Sequence, residues 1–452
     1  MGSEILREPI VSPNTSIMPV TAVTNELDHL VIGGCDTVEL ASRFGTPLWI
    51  IDYETVRAAA RECQFGLESY PDSTVLYAGK AFMCLAICKI VTNLGLGIDV
   101  VSEGELYTAL KAGVSTANIY LHGNNKSDVE LRLALANPGV KIVVDSRSEL
   151  TRLANLAREE GASMPVDILI RVTPGVEPET HHYIKTGQLD SKFGIPIADV
   201  NDFVRQSLEL REVVAFRGFH VHIGSQTHKI EPYLEIAEIL ADLAMDVKKA
   251  LSHEIDLLDV GGGLGIAYTY KDEPMPISDW SSQLCKRVKQ AFESRGLKLP
   301  HLLLEPGRSI VGPAGVTLYR AGEVKTLSDG SRCVAVDGGM ADNPRPSTYK
   351  ALYTSAIADR MRAEGTTKTT LVGRYCESGD IIIKDAGIPA DQGDLIAVFS
   401  TGAYNYSMSS NYNRTGRPAC VLVKDGQAEL ILERESNDDL LRMDRIPKWL
   451  EG

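Results

Sequence analysis

The chain has 452 residues and a formal charge of −14. That length exceeds one ordinary core, so two domains are expected, and the negative balance argues against a broad nucleic-acid surface. Apolar residues make up 44% and charged residues 23%, the mix of a soluble globular protein. No apolar run reaches the roughly 18 residues that a membrane span needs. Eight cysteines are scattered with no CxxC pair, which points to a reducing compartment. The N-terminus lacks a basic patch followed by an apolar run, so no secretory signal is expected and the cytoplasm is the expected location.

Residues 1–25 are polar, with Pro9, Pro13 and Pro19, and read as a flexible arm. A short helix is predicted over 37–44, ended by Gly45-Thr46-Pro47. A strand follows at 48–51 and a helix at 53–65. The chain then settles into a rhythm. Short apolar strands are predicted at 74–79, 97–101, 117–121, 141–144, 166–172, 214–223, 255–260 and 301–305. Helical patterns separate them, among them 103–112, 148–158, 232–250 and 280–293. Eight strands alternating with helices fit a (β/α)8 barrel, with an open doubly wound sheet as the alternative.

Past Arg308 the pattern changes. Strands are predicted at 316–325, 333–337, 371–375, 395–399 and 419–424, with a longer helix only at 349–362. This is a second, mostly β domain. The strand at 48–51 is a candidate to pair into it, so the expected division is a barrel over 52–305 and a β domain from 26–51 plus 306–452.

Barrel chemistry collects at the C-terminal ends of the strands. Strand one ends in Tyr77-Ala78-Gly79-Lys80. Burial disfavours an ammonium there, and a lysine so placed acts as an amine nucleophile that forms Schiff bases; a lysine that only snorkels to the core rim is the bland alternative. Strand five carries Arg171. Strand six supplies His220, His222 and Ser225, and strand seven supplies Asp259 and Gly261-Gly262-Gly263. The glycines are a phosphate-cradle candidate, although Ile266 leaves the dinucleotide fingerprint incomplete. Two histidines two apart share a strand face; a zinc pair lacks a third ligand of convincing spacing, so no metal is expected, and a flat imidazole against a flat ring fits better. Strand eight ends in Glu305-Pro306-Gly307-Arg308, where Glu305 either pairs with Arg308 as a staple or holds a proton on a pyridine nitrogen. A Schiff-base lysine, a phosphate cradle, a stacking imidazole and a carboxylate for a ring nitrogen together are what pyridoxal phosphate requires.

Three segments stand out in the second domain. Arg345, between Pro344 and Pro346, can grip a carboxylate. Cys376-Glu377 places a thiol beside a carboxylate, a candidate general acid and a candidate amine binder; an inert buried thiol is the commoner fate of a cysteine. Gly402-Ala403-Tyr404 offers a phenol.

From about residue 26 onward the chain resembles the diaminopimelate decarboxylase family of fold-type III pyridoxal-phosphate decarboxylases. The resemblance rests on Tyr77-Ala-Gly-Lys80-Ala-Phe82, His220-Val-His222-Ile-Gly-Ser225-Gln, Gly261-Gly-Gly263, Glu305-Pro-Gly-Arg308, Asn343-Pro-Arg345-Pro, Cys376-Glu-Ser-Gly-Asp380 and Gly402-Ala-Tyr404. It implies that Lys80 carries the cofactor as a Schiff base, that His222 stacks on its ring and that Glu305 pairs with its nitrogen. It implies that Ser225, Gly262, Gly263, Gly307 and Tyr404 hold the phosphate, and that Arg308, Arg345 and Tyr349 bind the distal carboxylate of meso-2,6-diaminopimelate. It also implies a homodimer with shared active sites, in which Glu377 binds the distal amine and Cys376 donates a proton, the product being L-lysine. Ser347-Thr348 departs from the small apolar pair common in the family before the tyrosine. Sister decarboxylases acting on ornithine, arginine or carboxynorspermidine, an alanine-type racemase, and a non-catalytic regulator built on the same scaffold are the rival readings.

Overall fold

The computed structural model describes residues 11–161, 164–175, 192–365 and 368–450. They form two compact units. The first takes the described residues of 11–16, 56–267 and 271–312, and the second takes those of 17–55, 268–270 and 313–450.

The first unit is a closed barrel of eight parallel strands: Ser73–Ala78, Gly97–Val100, Ile119–Leu121, Lys141–Val144, Val166–Thr173, Val214–His220, Leu257–Asp259 and His301–Leu304. Each pairs with the next, and the eighth returns to the first through Leu302 against Ser73 and Leu304 against Val75. Strands covered on both faces read as continuous apolar runs, which is why they are legible as short runs in the sequence. Strand alternation turns Leu76, Tyr120, Val143, Leu169 and Leu303 into one buried cluster, with Leu257 packed against it. This layer fills the barrel interior, so the barrel is a packed core and its working groups lie beyond it.

The helices that follow strands two, three and four begin on serine caps. Ser102 accepts from the Glu105 amide, Ser127 forms a capping box with Glu130, and Ser146 accepts from the Glu149 amide. Such caps satisfy amides that the first helical turn leaves open, and they fix three loops at the strand C-terminal ends. Among the described residues no helix is long and apolar enough to cross a membrane.

The second unit is built on a long strand, Gly315–Thr326. It pairs antiparallel with Leu48–Asp52, Leu395–Phe399 and Arg332–Val336. Ala419–Lys424 joins Leu48–Asp52 in parallel and pairs antiparallel with Gln427–Leu432. All five residues of Leu48–Asp52 are buried between these neighbours.

Two expectations are corrected. The helix predicted over 349–362 is replaced by a five-residue helix, Arg345–Tyr349, and a strand, Ser355–Ile357, paired with Leu395–Phe399. Pro346 suits a first helical turn, and Lys350 at φ 53° ends the helix at once. The arm read as flexible is held down where it is described. Asn14 is fully buried, and its amide donates to the carbonyls of Gly265 and Met275 at 3.0 and 2.8 Å. Residues 1–10 lie outside the described residues.

A buried acid anchors the second unit. The Tyr319 hydroxyl donates to Asp342 Oδ2 at 2.5 Å, and the Gly339 amide donates to Oδ1 at 2.9 Å. Burial outweighs these bonds and pushes the Asp342 carboxyl up to about 7. Between its ordinary 3.8 and about 7, the folded chain keeps a proton that the unfolded chain has released. Asp342 therefore costs stability increasingly as pH rises through that window. Asp342→Asn is expected to gain on the wild type by about 2.6 kcal/mol between pH 5 and pH 8, read as the difference in urea midpoints; a pH-independent difference contradicts the raised carboxyl.

Candidate active site

The strand ends of the barrel carry buried charge. Glu305 follows strand eight and is only 4% exposed. His220 ends strand six and places Nε2 3.3 Å from Glu305 Oε2. His122 follows strand three and places Nε2 2.9 Å from Glu305 Oε1. The two imidazoles meet edge to face, with centroids 4.7 Å apart. Burial works to raise the Glu305 carboxyl, but His122 and His220 outweigh it and hold it well below the usual carboxylate range. Asp259, at the end of strand seven, and Asp99, in strand two, go the other way: burial first, with the Glu305 charge adding, raises both. Like charges sharing a dry site cannot all ionise, so the negative charge collects on Glu305. Burial holds His220 down at about 3, so it stands as a neutral ring presenting Nε2–H to the carboxylate.

Lys80 sits in a 3-10 turn, Gly79–Ala81, directly after strand one. The Tyr77 hydroxyl donates to the Phe82 carbonyl at 2.8 Å across that turn. Lys80 is half-buried, and its charge acts on Asp99, Glu105 and His222. Strand six stops at His220, so His222 lies in the loop beyond it rather than on the shared strand face expected from the sequence. Its Nδ1 accepts from the Gly262 amide at 3.4 Å, which puts the proton of the neutral ring on Nε2. Burial, then Lys80 and Arg171, keep this imidazole neutral. Among the described residues, the groups that converge as possible metal ligands are His122, His220 and Glu305, not a His220–His222 pair.

The glycines are spaced for close approach. A Cβ on Gly262 would stand 1.9 Å from the Glu305 carbonyl, and one on Gly263, at φ +104°, would stand 2.0 Å from the Gly224 carbonyl. Backbone can line this part of the mouth and side chains cannot. Ser225 follows Gly224 and is half-buried. Gly307 packs against strand one, where a Cβ would come within 2.9 Å of Ala78 Cβ. Arg308 opens the short helix Arg308–Val311 and is buried. Arg171 is buried with its guanidinium 4.2 Å from the Phe193 ring centroid and Nε 3.9 Å from Asp145.

The second unit holds the other candidates. Arg345 is 7% exposed, donates from Nη1 to the Tyr353 hydroxyl at 2.7 Å and lies 4.6 Å over the Tyr268 ring. A buried guanidinium on two aromatic rings has its fork oriented. Tyr349 is half-buried at the end of the same helix, and Tyr404 is half-buried at φ 64°. Cys376 is the one exposed cysteine of the eight, and its amide donates to Asn413 Oδ1 at 3.0 Å. Glu377 beside it is exposed too. The buried, inert alternative for Cys376 is therefore set aside.

Sequence reasoning missed His122, Asp99 and Glu105 in the barrel, and Tyr268 and Tyr353 in the second unit. The rule that found Glu305 also applies to strands two and three, where Asp99 and His122 stand at the ends. Glu105 accepts from the Val101 amide at 2.7 Å, and burial raises its carboxyl to about 7. The two tyrosines carried no local signal, because their partner is distant in sequence.

Residues 56–312 match the family model for the pyridoxal-binding domain of pyridoxal-dependent decarboxylases. A diaminopimelate decarboxylase from Synechocystis sp. is 46% identical, covering 99% of this chain and 97% of that protein. The chain belongs to the diaminopimelate decarboxylase family. A second family member, from Bacillus subtilis, is 42% identical over 94% of this chain and 97% of its own. The crystal structure of the diaminopimelate decarboxylase from M. jannaschii in complex with L-lysine superposes with a TM-score of 0.89 at 32% identity, covering 97% of this chain and all of that one. The family's cofactor is pyridoxal phosphate, and the barrel mouth fits it. Glu305 Oε1 is buried with no aligned hydrogen-bond donor, although His122 Nε2 is near. That is an open acceptor for a ring N–H. Lys80, in the turn after strand one, would offer an amine, and the Gly262 and Gly263 backbone, which leaves no room for a Cβ, would offer amides to an anion.

Proposed function

We propose that this chain decarboxylates meso-2,6-diaminopimelate to L-lysine and carbon dioxide, using pyridoxal phosphate. The observation that carries the reaction type is the ionised, buried Glu305 at the barrel mouth. The substrate is the one named for relatives that match nearly the whole chain.

Lys80 would hold the cofactor, Ser225, Gly262, Gly263, Gly307 and Tyr404 its phosphate, and His222 the face of its ring. When bound, the cofactor supplies an electron sink for the pair left at Cα as the carboxylate departs. Glu305 keeps the proton on the ring nitrogen, because a carboxylate favours the charged form of its partner. His222, neutral and tied to the Gly262 amide, offers a flat face without competing for that proton. Arg308, Arg345 and Tyr349 would bind the distal carboxylate. Arg345 suits this because Tyr353 and Tyr268 already orient it, which leaves less ordering to be done on binding. A substrate lacking the distal carboxylate leaves these cations unmatched, and discrimination follows from that.

The working form is a homodimer in which Cys376 and Glu377 of one copy serve the site of the other. Exposure of both side chains supports this reading. Glu377 takes the distal amine and Cys376 returns a proton to Cα.

Incubation of the cofactor-loaded protein with meso-2,6-diaminopimelate, ornithine, arginine and L-lysine, followed by carbon dioxide release, tests the assignment. Release from diaminopimelate alone is expected; release from ornithine or arginine instead contradicts it. Cys376→Ala is expected to lower kcat by about a hundredfold with unchanged cofactor binding, and an equal kcat removes the thiol from the mechanism.

A further inference from the structure

Glu305 has two imidazole neighbours of different kinds. His220 belongs to strand six, is aligned on Oε2 and has its other nitrogen, Nδ1, buried without a partner. His122 comes from the loop after strand three, and Nε2 stands 2.9 Å from Oε1 but out of hydrogen-bond alignment. The same Nε2 lies 3.7 Å from Asp99 Oδ1. Among the described residues, His122 is thus the group that approaches the open oxygen of Glu305 while lying near the Asp99 carboxyl as well. Its ring is only 4% exposed and is pinned edge-on by His220, so it cannot be a surface histidine met by chance.

We propose that His122 is a positioning residue: its Nε2–H fixes the orientation and charge of the Glu305 carboxylate, and through it the grip on the cofactor's ring nitrogen. The proposal rests on the cofactor reading above. Two acids and four other basic groups bear on the same cluster. Burial and the Glu305 charge raise the proton affinity of Asp99 and Asp259. His220 donates to Glu305, His222 and Arg171 act on it at longer range, and Lys80 acts on Asp99 and His222 beside it. Without His122, Oε1 faces Asp99 with no intervening donor. A proton shared from Asp99 then becomes the cheapest way to satisfy the pair, because repulsion between neighbouring carboxylates raises the affinity of both for protons. Glu305 would then lose the charge that holds the ring nitrogen protonated.

The test is a double-mutant cycle read as the pyridoxal phosphate dissociation constant, followed by cofactor absorbance on the full chain. His122→Phe keeps a ring against His220 and removes the N–H. It is expected to weaken cofactor binding about tenfold, the scale on which groups that orient a binding residue act. His122→Gln, whose amide reaches the Nε2 position, is expected to recover most of the loss. His122→Asn, whose amide stops short of Oε1, is expected to match the phenylalanine variant and replaces it should that variant not fold. In a Glu305→Gln background His122→Phe is expected to change nothing further, because the residue acts through Glu305. Wild-type affinity in His122→Phe, or an equal loss with and without Glu305, overturns the proposal. A wild type that takes up no pyridoxal phosphate overturns both the proposal and the cofactor reading. Normal cofactor uptake without decarboxylation of diaminopimelate removes only the substrate assignment and leaves the cycle to decide on His122.

Discussion

Three carboxyl groups, Asp99, Asp259 and Glu305, are almost wholly buried at one end of the barrel, and their mutual repulsion sets the state of the site. In a dry interior an unpaired charge costs several kcal/mol, and removal of one partner from a buried pair costs about 3–5 kcal/mol. The chain meets this constraint by asymmetry. His122 and His220 converge on Glu305, while Asp259 has the Gly261 amide at 2.9 Å. The Glu305 carboxyl is thereby held well down, while burial and its charge push Asp259 well up and Asp99 up. Strands two, three, six, seven and eight all contribute to that arrangement, so the closed barrel is the device that produces it. The ring of parallel pairs brings together the C-terminal ends of five strands.

The second unit solves the opposite problem, a buried cation. Arg345 is packed on Tyr268 and bonded to Tyr353. Aromatic faces and a phenol oxygen can desolvate a guanidinium partly without neutralising it. The charge therefore stays available for an anion. Cys376 and Glu377 lie in an exposed turn, in contrast to the buried thiols of Cys63, Cys84, Cys88 and Cys420. That exposure is what the proposed role of the two residues at a second copy's site requires.

Much of the fold is legible in the sequence, and the reasons are local. The strands Lys141–Val144, Leu395–Phe399 and Ala419–Lys424 match their predicted spans because an apolar run bounded by Gly, Pro or charge has few other folds open to it. The helix at Thr37–Phe44 matches because Asp36 caps it and Gly45 stops it. The prediction over 349–362 failed because Ser355–Ile357 is extended by pairing with Leu395–Phe399, and that partner is invisible to a local window. The site divides in the same way. Lys80, Glu305 and the Gly261–Gly263 turn announce themselves by residue type at strand ends. His122 does not, because a histidine after a three-residue strand means little until Glu305 is known to lie 2.9 Å away. Which carboxyl keeps the charge is likewise a property of the assembled cluster, not of any segment.

The central claim is that Glu305 is an ionised carboxylate in the folded protein while Asp259 is protonated. Infrared difference spectra of wild type against Glu305→Gln, and of wild type against Asp259→Asn, measure this most directly at neutral pH. The account requires the Glu305 difference to remove a carboxylate band and the Asp259 difference to remove a protonated-carboxyl band. A protonated-carboxyl band assigned to Glu305 would contradict it and would take away the charge that the proposed hold on the cofactor's ring nitrogen needs.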